Sequence, residues 1–148
     1  MTADDSIDFG ILLGLAFRAF VDEMHADLAA RGFDDLGRSY GYVFRMLGDG
    51  DRSLSELAAL LGMTLPGAGK IVDEMERRGY VERRPDQVDR RVKHIALSRR
   101  GRDALAAARA FHRRFEERLS DSARLRRGLE GLAGRTTAES VPVYLRPL

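Results

Sequence analysis

SLSELAALLGMTLPGAGKIVDEMERRGYVERRPDQVDRRVKHIALS, residues 53–98, predicts two closely spaced helices followed by a basic hairpin. Ser53-Leu-Ser-Glu56 has capping-box spacing, in which a serine hydroxyl and a glutamate three residues on satisfy each other's free amides. The helix that follows places Leu54, Leu57, Ala58 and Leu61 on one face. Gly62-Met63-Thr64 makes a tight turn and Thr64 caps a second helix. Pro66 falls in its first turn, where a missing amide proton costs little. Ala68, Ile71, Val72 and Met75 form its apolar face, opposite Gly67, Gly69, Lys70, Asp73, Glu74 and Arg77. Helices this short, crossing at the small Ala58, make a helix-turn-helix. Gly79 ends the second helix, Tyr80–Arg84 reads as a strand and Pro85–Arg91 as a charged turn. In a second strand, Val92–Leu97, Val92, His94 and Ala96 alternate with Lys93, Ile95 and Leu97. The result is a wing with Arg90 and Arg91 near its tip.

The flanking sequence is helical. Residues 6–31 carry Phe9, Leu12, Leu13, Ala16, Phe17, Phe20, Met24 and Leu28 at three- and four-residue steps, with Ser6 as N-cap and Gly32 at the far end. That stripe suits an internal core or a subunit contact. After a break at Asp34–Gly37, Tyr40, Val43, Phe44 and Leu47 mark another helix, ended by Gly48-Asp49-Gly50-Asp51. Ser98 starts a helix to about Leu119 with Leu105, Ala108, Phe111, Phe115 and Leu119 aligned. Asp121–Gly134 predicts a shorter one through Leu125, Leu129, Leu132 and Ala133, weakened by Gly128 and Gly131. The tail 135–148, with Pro142 and Pro147, is expected to be extended, docked or disordered.

Composition narrows the function. Apolar residues at 44% and charged ones at 32% mark a globular chain, expected to form a single domain over residues 1–148. The absence of Cys excludes disulfides, thiolate zinc sites and thiol redox switches. With no cationic leader and no apolar run of about 18 residues, a cytoplasmic, non-membrane location is expected. Residues 1–37 hold eight acids against two arginines, whereas residues 76–102 hold ten bases against four acids. So local a basic block suits a phosphate backbone, although a solvated surface would look the same.

The run Met63–Gly101, with Asp73, ERRGYVER, Asp89-Arg90-Arg91 and Leu97-Ser98 followed by Gly101, resembles the MarR family of multiple-antibiotic-resistance regulators. The order of elements extends the likeness over about residues 6–134. The resemblance implies a mainly α fold with a small β-hairpin wing: a winged helix-turn-helix at 35–98, flanked by dimerisation helices at 6–31 and 99–134. It further implies a homodimer on double-stranded DNA, its two modules in major grooves of a pseudo-palindromic site about 34–36 Å apart. Arg91 would enter the flanking minor groove, oriented by Asp89, while Arg90 meets phosphate. In the recognition helix Gly67 and Gly69 stand where relatives often carry Ser or Thr. This leaves Thr64 and Lys70 as polar contacts and Leu65 or Pro66 for a thymine methyl, with the glycines admitting the DNA backbone. The family's release by a small, often aromatic ligand would place Phe17, Tyr40, Phe44 and His112 in a crevice, although aromatics at helical spacing are more often core.

Other chemistry fits poorly. PGAGKI is no phosphate loop: Thr64 stands where the first glycine belongs, and Ile71 where Ser or Thr would hold magnesium. His25, His94 and His112 are dispersed, so no metal and no cofactor is expected, and no nucleophile elbow or carboxylate pair suggests an enzyme. Two readings result: a dimeric DNA-binding regulator, a repressor released by a small molecule, or a winged-helix module for protein interaction or weakly specific DNA binding without ligand response.

Overall fold

The computed structural model describes residues 7–134, which hold six helices and three short strands. They divide into two compact units, the first ending at Leu36 and the second beginning at Gly37. Ser6 and the tail 135–148 lie outside the described residues. No described helix is long and apolar enough to cross a membrane.

The first unit is helix α1, Phe9–Ala30. Its N-cap position is Asp8, and Gly32 closes it at φ +92°, with the Phe33 amide donating to the Leu28 carbonyl (3.0 Å). Glycine suits that left-handed position because it lacks Cβ. Of the apolar stripe Leu28 is buried, whereas Phe9 and Phe17 are 67% and 65% exposed.

The second unit begins with α2, Tyr40–Gly48, which buries the four expected residues Tyr40, Val43, Phe44 and Leu47. Helix α3 is Leu54–Leu61 and α4 is Leu65–Arg77. Each starts on a hydroxyl cap: Ser53 accepts the Glu56 amide at 3.1 Å and Thr64 the Gly67 amide at 3.2 Å. Between them Gly62 takes φ +61°. Leu57, Ala58 and Leu61 of α3 and Ala68, Val72 and Met75 of α4 are buried, so the two helices share one core.

Strands β1 (Arg52–Ser53), β2 (Val81–Pro85) and β3 (Lys93–Leu97) form an antiparallel sheet in the order β1-β3-β2. The hairpin expected from the sequence is β2 and β3, with Val81 opposite Leu97 and Pro85 opposite Lys93. Strand β1 is an addition to that expectation, pairing Arg52 with Ile95 and Ser53 with His94. It makes β3 the central strand, with α2, α3 and α5 also packed on it. Ile95, Ala96 and Leu97 are therefore all buried, in place of the expected alternation.

Helix α5, Arg99–Arg118, leaves the sheet at Ser98, whose hydroxyl accepts the Gly101 amide at 3.0 Å and donates to the Gly79 carbonyl at 2.5 Å. Gly101 is buried so tightly that a Cβ there would lie 2.0 Å from the Tyr80 carbonyl oxygen. Helix α6, Ser122–Ala133, buries no residue, and Leu125, Leu129 and Leu132 are each close to half exposed.

Candidate nucleic-acid interface

The first part of the site is the start of α4. Thr64, Leu65, Pro66 and Lys70 are exposed, and Gly67 and Gly69 are half-buried beside them. A Cβ on Gly69 would meet Leu54 Cδ2 at an ordinary 3.8 Å, so packing alone does not demand glycine there. On Gly67 it would press on Thr64 Oγ1 at 3.1 Å, against the capping group itself. The α4 N-terminus thus combines a hydroxyl cap, an exposed lysine and a first turn in which Pro66 has no N–H and the Gly67 amide already donates to Thr64. Such a terminus favours anions through its helix dipole.

The second part is the wing turn, residues 86–92, which is folded by carboxylates. Asp86 Oδ2 accepts the amides of Val88 and Asp89, both at 2.9 Å, and Oδ1 accepts Nε2 of His94 at 2.8 Å. Those partners, the Asp89 amide foremost, then His94 and the Val88 amide, hold the Asp86 carboxyl at about 2. The turn closes with the Asp86 amide on the Val92 carbonyl and the Val92 amide on that of Asp89.

Asp89 in turn accepts three hydrogen bonds from one arginine. Arg91 donates its amide and Nε to Oδ1, both at 3.1 Å, and Nη2 to Oδ2 at 3.3 Å. The contact keeps the Asp89 carboxyl below its usual range, chiefly through the Arg91 side chain and then its amide. The Arg91 side chain is nevertheless 92% exposed. A guanidinium both oriented and open to solvent can accept a phosphate or a groove edge without first losing much rotamer freedom. Arg90 is also exposed at this tip.

Wing and helix are joined by a residue that the sequence reading did not single out. Arg83 of β2 donates Nη2 to Asp73 Oδ1 at 2.6 Å and Nη1 to Glu76, both acids on α4. The alternation of β2 puts Arg83 on the same face as buried Val81, but its partners seven and ten residues earlier are legible only once the hairpin is folded. Asp86 and His94 were missed for a similar reason, although an Asp directly after Pro85 is a recognisable turn signal.

The candidate crevice residues are separated by role. Tyr40 and Phe44 are buried and meet Tyr80 edge-on, with ring centroids 6.0 and 5.5 Å from it, as a core cluster. His112 stands edge-on to Phe111 at 6.5 Å, and partial desolvation, with the charge of Arg45, lowers its pKa. Phe17 is an exposed residue of the first unit.

A sequence model described as the MarR family matches residues 34–92. The transcriptional repressor MprA of Escherichia coli (strain K12) is 43% identical over 51 residues, 34% of this chain and 29% of that protein, so the chain spans under a third of this relative's length. The exopolysaccharide II synthesis transcriptional activator ExpG of Rhizobium meliloti (strain 1021) is 27% identical over 131 residues, covering 86% of this chain and 68% of that one. Among solved structures, Streptococcus pneumoniae FabT in complex with DNA superposes with a TM-score of 0.67 at 25% identity, covering 86% of this chain and 93% of that one. The matched 34–92 segment holds the helix-turn-helix and the first strand of the wing hairpin, so the likeness to the MarR family falls on the candidate DNA-binding features.

Proposed function

We propose that this protein is a dimeric transcriptional regulator that binds a pseudo-palindromic DNA duplex, with the α4 N-terminus at the major groove and Arg91 in the flanking minor groove. The observation that carries the reading is the wing tip, where Asp89 orients an Arg91 that is 92% exposed. The S. pneumoniae relative of similar fold, solved with DNA, supports the same partner. Dimerisation is supported by two apolar surfaces, Phe9, Ile11, Leu12 and Leu15 on α1 and Leu125, Leu129 and Leu132 on α6, which a second copy would cover. Repression is the preferred direction, because a dimer lying across promoter DNA blocks polymerase without a further partner. Release by a small aromatic ligand rests on the family resemblance. Of its four candidate residues, Tyr40 and Phe44 are already committed to the core beside Tyr80.

Gly67 and Gly69 favour a second reading, weakly specific DNA binding or a protein-interaction module, because glycine offers no side-chain donor to a base edge. Selection from random duplexes followed by anisotropy titration separates the two. The regulator is expected to bind its selected site at least about 10³-fold more tightly than random DNA. Equal affinities would leave the second reading standing. Arg91→Ala is expected to lower affinity about tenfold at unchanged molecular mass by light scattering, the size of one lost groove contact. Unchanged affinity removes the wing from the mechanism.

A further inference from the structure

Across the described residues 37–118, three large apolar side chains are exposed: Leu65, Val88 and Val92. All three lie on the candidate interface. Leu65 opens α4, and Val88 and Val92 stand either side of Arg90 and Arg91 in the wing turn. A lone exposed leucine is ordinary on a protein surface, so its surroundings decide what it can do.

Those surroundings favour hydrophobic contact over hydrogen bonding. Leu65 is 49% exposed at the first position of α4. Its turn is set by Thr64, whose Oγ1 accepts the Gly67 amide and whose carbonyl accepts the Ala68 amide at 3.0 Å. Pro66, next along, fixes its own φ and has no N–H to offer a base edge. One helical turn on from Leu65 is Gly69, which has no side chain to lean back over it. Lys70 is the one charged side chain of residues 65–70. A recognition helix enters the major groove with its N-terminal residues against the base edges. The apolar group it meets there is the C5 methyl of thymine. 5-Methylcytosine carries the same methyl on the same carbon, although its neighbouring ring substituent is an amino donor where thymine has an acceptor oxygen.

We infer that Leu65 reads a pyrimidine C5 methyl in each half-site of the duplex, so that 5-methylcytosine can stand in for thymine at that position. The inference rests on the proposed DNA binding, and adds to it the group recognised and the residue that recognises it. Covering one methyl corresponds to about a fourfold gain in affinity, and one in each of two half-sites to about fifteenfold.

The test is anisotropy titration of the full chain on its selected duplex, with each thymine in turn replaced by uracil in both half-sites. Uracil keeps the base pair and removes only the methyl. One symmetric pair of positions is expected to lose about fifteenfold in affinity. At that pair, 5-methylcytosine opposite guanine is expected to bind at least about fourfold more tightly than unmodified cytosine. Leu65→Ala, at an exposed position, is expected to bind thymine and uracil duplexes alike, whereas Val88→Ala keeps the difference. The preference is read as a ratio, so an overall change in affinity does not obscure it. Specific binding that no uracil substitution weakens overturns the inference and leaves the regulator reading standing, as does a selected site without thymine in its half-sites. A methyl effect that survives Leu65→Ala also overturns it, by assigning the contact to another residue, and so does 5-methylcytosine binding no better than cytosine. Binding no tighter to any selected duplex than to random DNA removes the regulator reading itself, and this inference with it.

Discussion

Arg83 of the wing strand β2 holds Asp73 of α4 at 2.6 Å, so the hairpin and the candidate recognition helix share an electrostatic link as well as a core. Both side chains have access to solvent, at 29% and 61% exposure, which limits the contribution to stability to about 0–1 kcal/mol. The larger consequence is positional. Arg83→Ala is expected to leave the unfolding midpoint within a few degrees of wild type, yet to weaken DNA binding several-fold by freeing the wing from α4. An affinity equal to wild type in anisotropy titrations would reduce the pair to surface decoration.

Gly69 offers a cleaner view of what the recognition helix needs. Alanine there would meet only an ordinary contact with Leu54. In a helix interior the exchange stabilises by roughly 0.5–1 kcal/mol. Gly69→Ala is therefore expected to unfold at higher denaturant concentration while binding DNA less tightly, because the added methyl occupies space left for the DNA backbone. Higher stability with undiminished affinity would show that the glycine is unrelated to DNA approach.

The wing turn is expected to open in acid. Folding lowers the Asp86 carboxyl from 3.8 to about 2, so its contribution is complete above pH 3.8 and is lost as pH falls towards 2. Amide exchange at Val88 and Asp89, the two N–H groups donating to that carboxylate, should quicken over this interval. Asp86→Ala should show the faster exchange already at neutral pH. Exchange in the variant matching wild type would mean that the backbone alone holds the turn.

Gly101 is the position least able to accept a side chain. A methyl 2.0 Å from the Tyr80 oxygen forces α5 away from the segment that joins α4 to β2. Gly101→Ala is expected to cost about 1–3 kcal/mol, in the range of overpacked cores, despite alanine's better helix propensity. Denaturant unfolding reads this directly, and a stability equal to wild type would show that the helix start has room to move.

What could be read from residues alone was mostly local. Ser53, Thr64 and Ser98 announce helix starts because each cap bond spans three residues, and Gly62 and Gly79 end helices for a reason intrinsic to glycine. Tyr40, Val43, Phe44 and Leu47 show their burial through helical spacing. Strand β1 left no such trace: two residues have no period, and they are a strand only because β3, over forty positions later, pairs with them. The Arg83 link and the His94–Asp86 bond are likewise products of the folded hairpin. The apolar run on α1 was legible as a stripe, but whether it was core was not, since periodicity reports a face and not what covers it.

The single hydroxyl of Ser98 fastens the segment just after α4 to the first turn of α5. It thereby sets a fulcrum. At a rise of about 1.5 Å per residue the 20-residue α5 is a lever of about 30 Å, so shifting its far end by about 2 Å takes a tilt of only about 4° at the pivot. Because Gly101 sits directly on the Tyr80 backbone, that pivot lies against the segment that closes α4. Leverage, as well as contact, is what such a joint gives α5 over the candidate recognition helix.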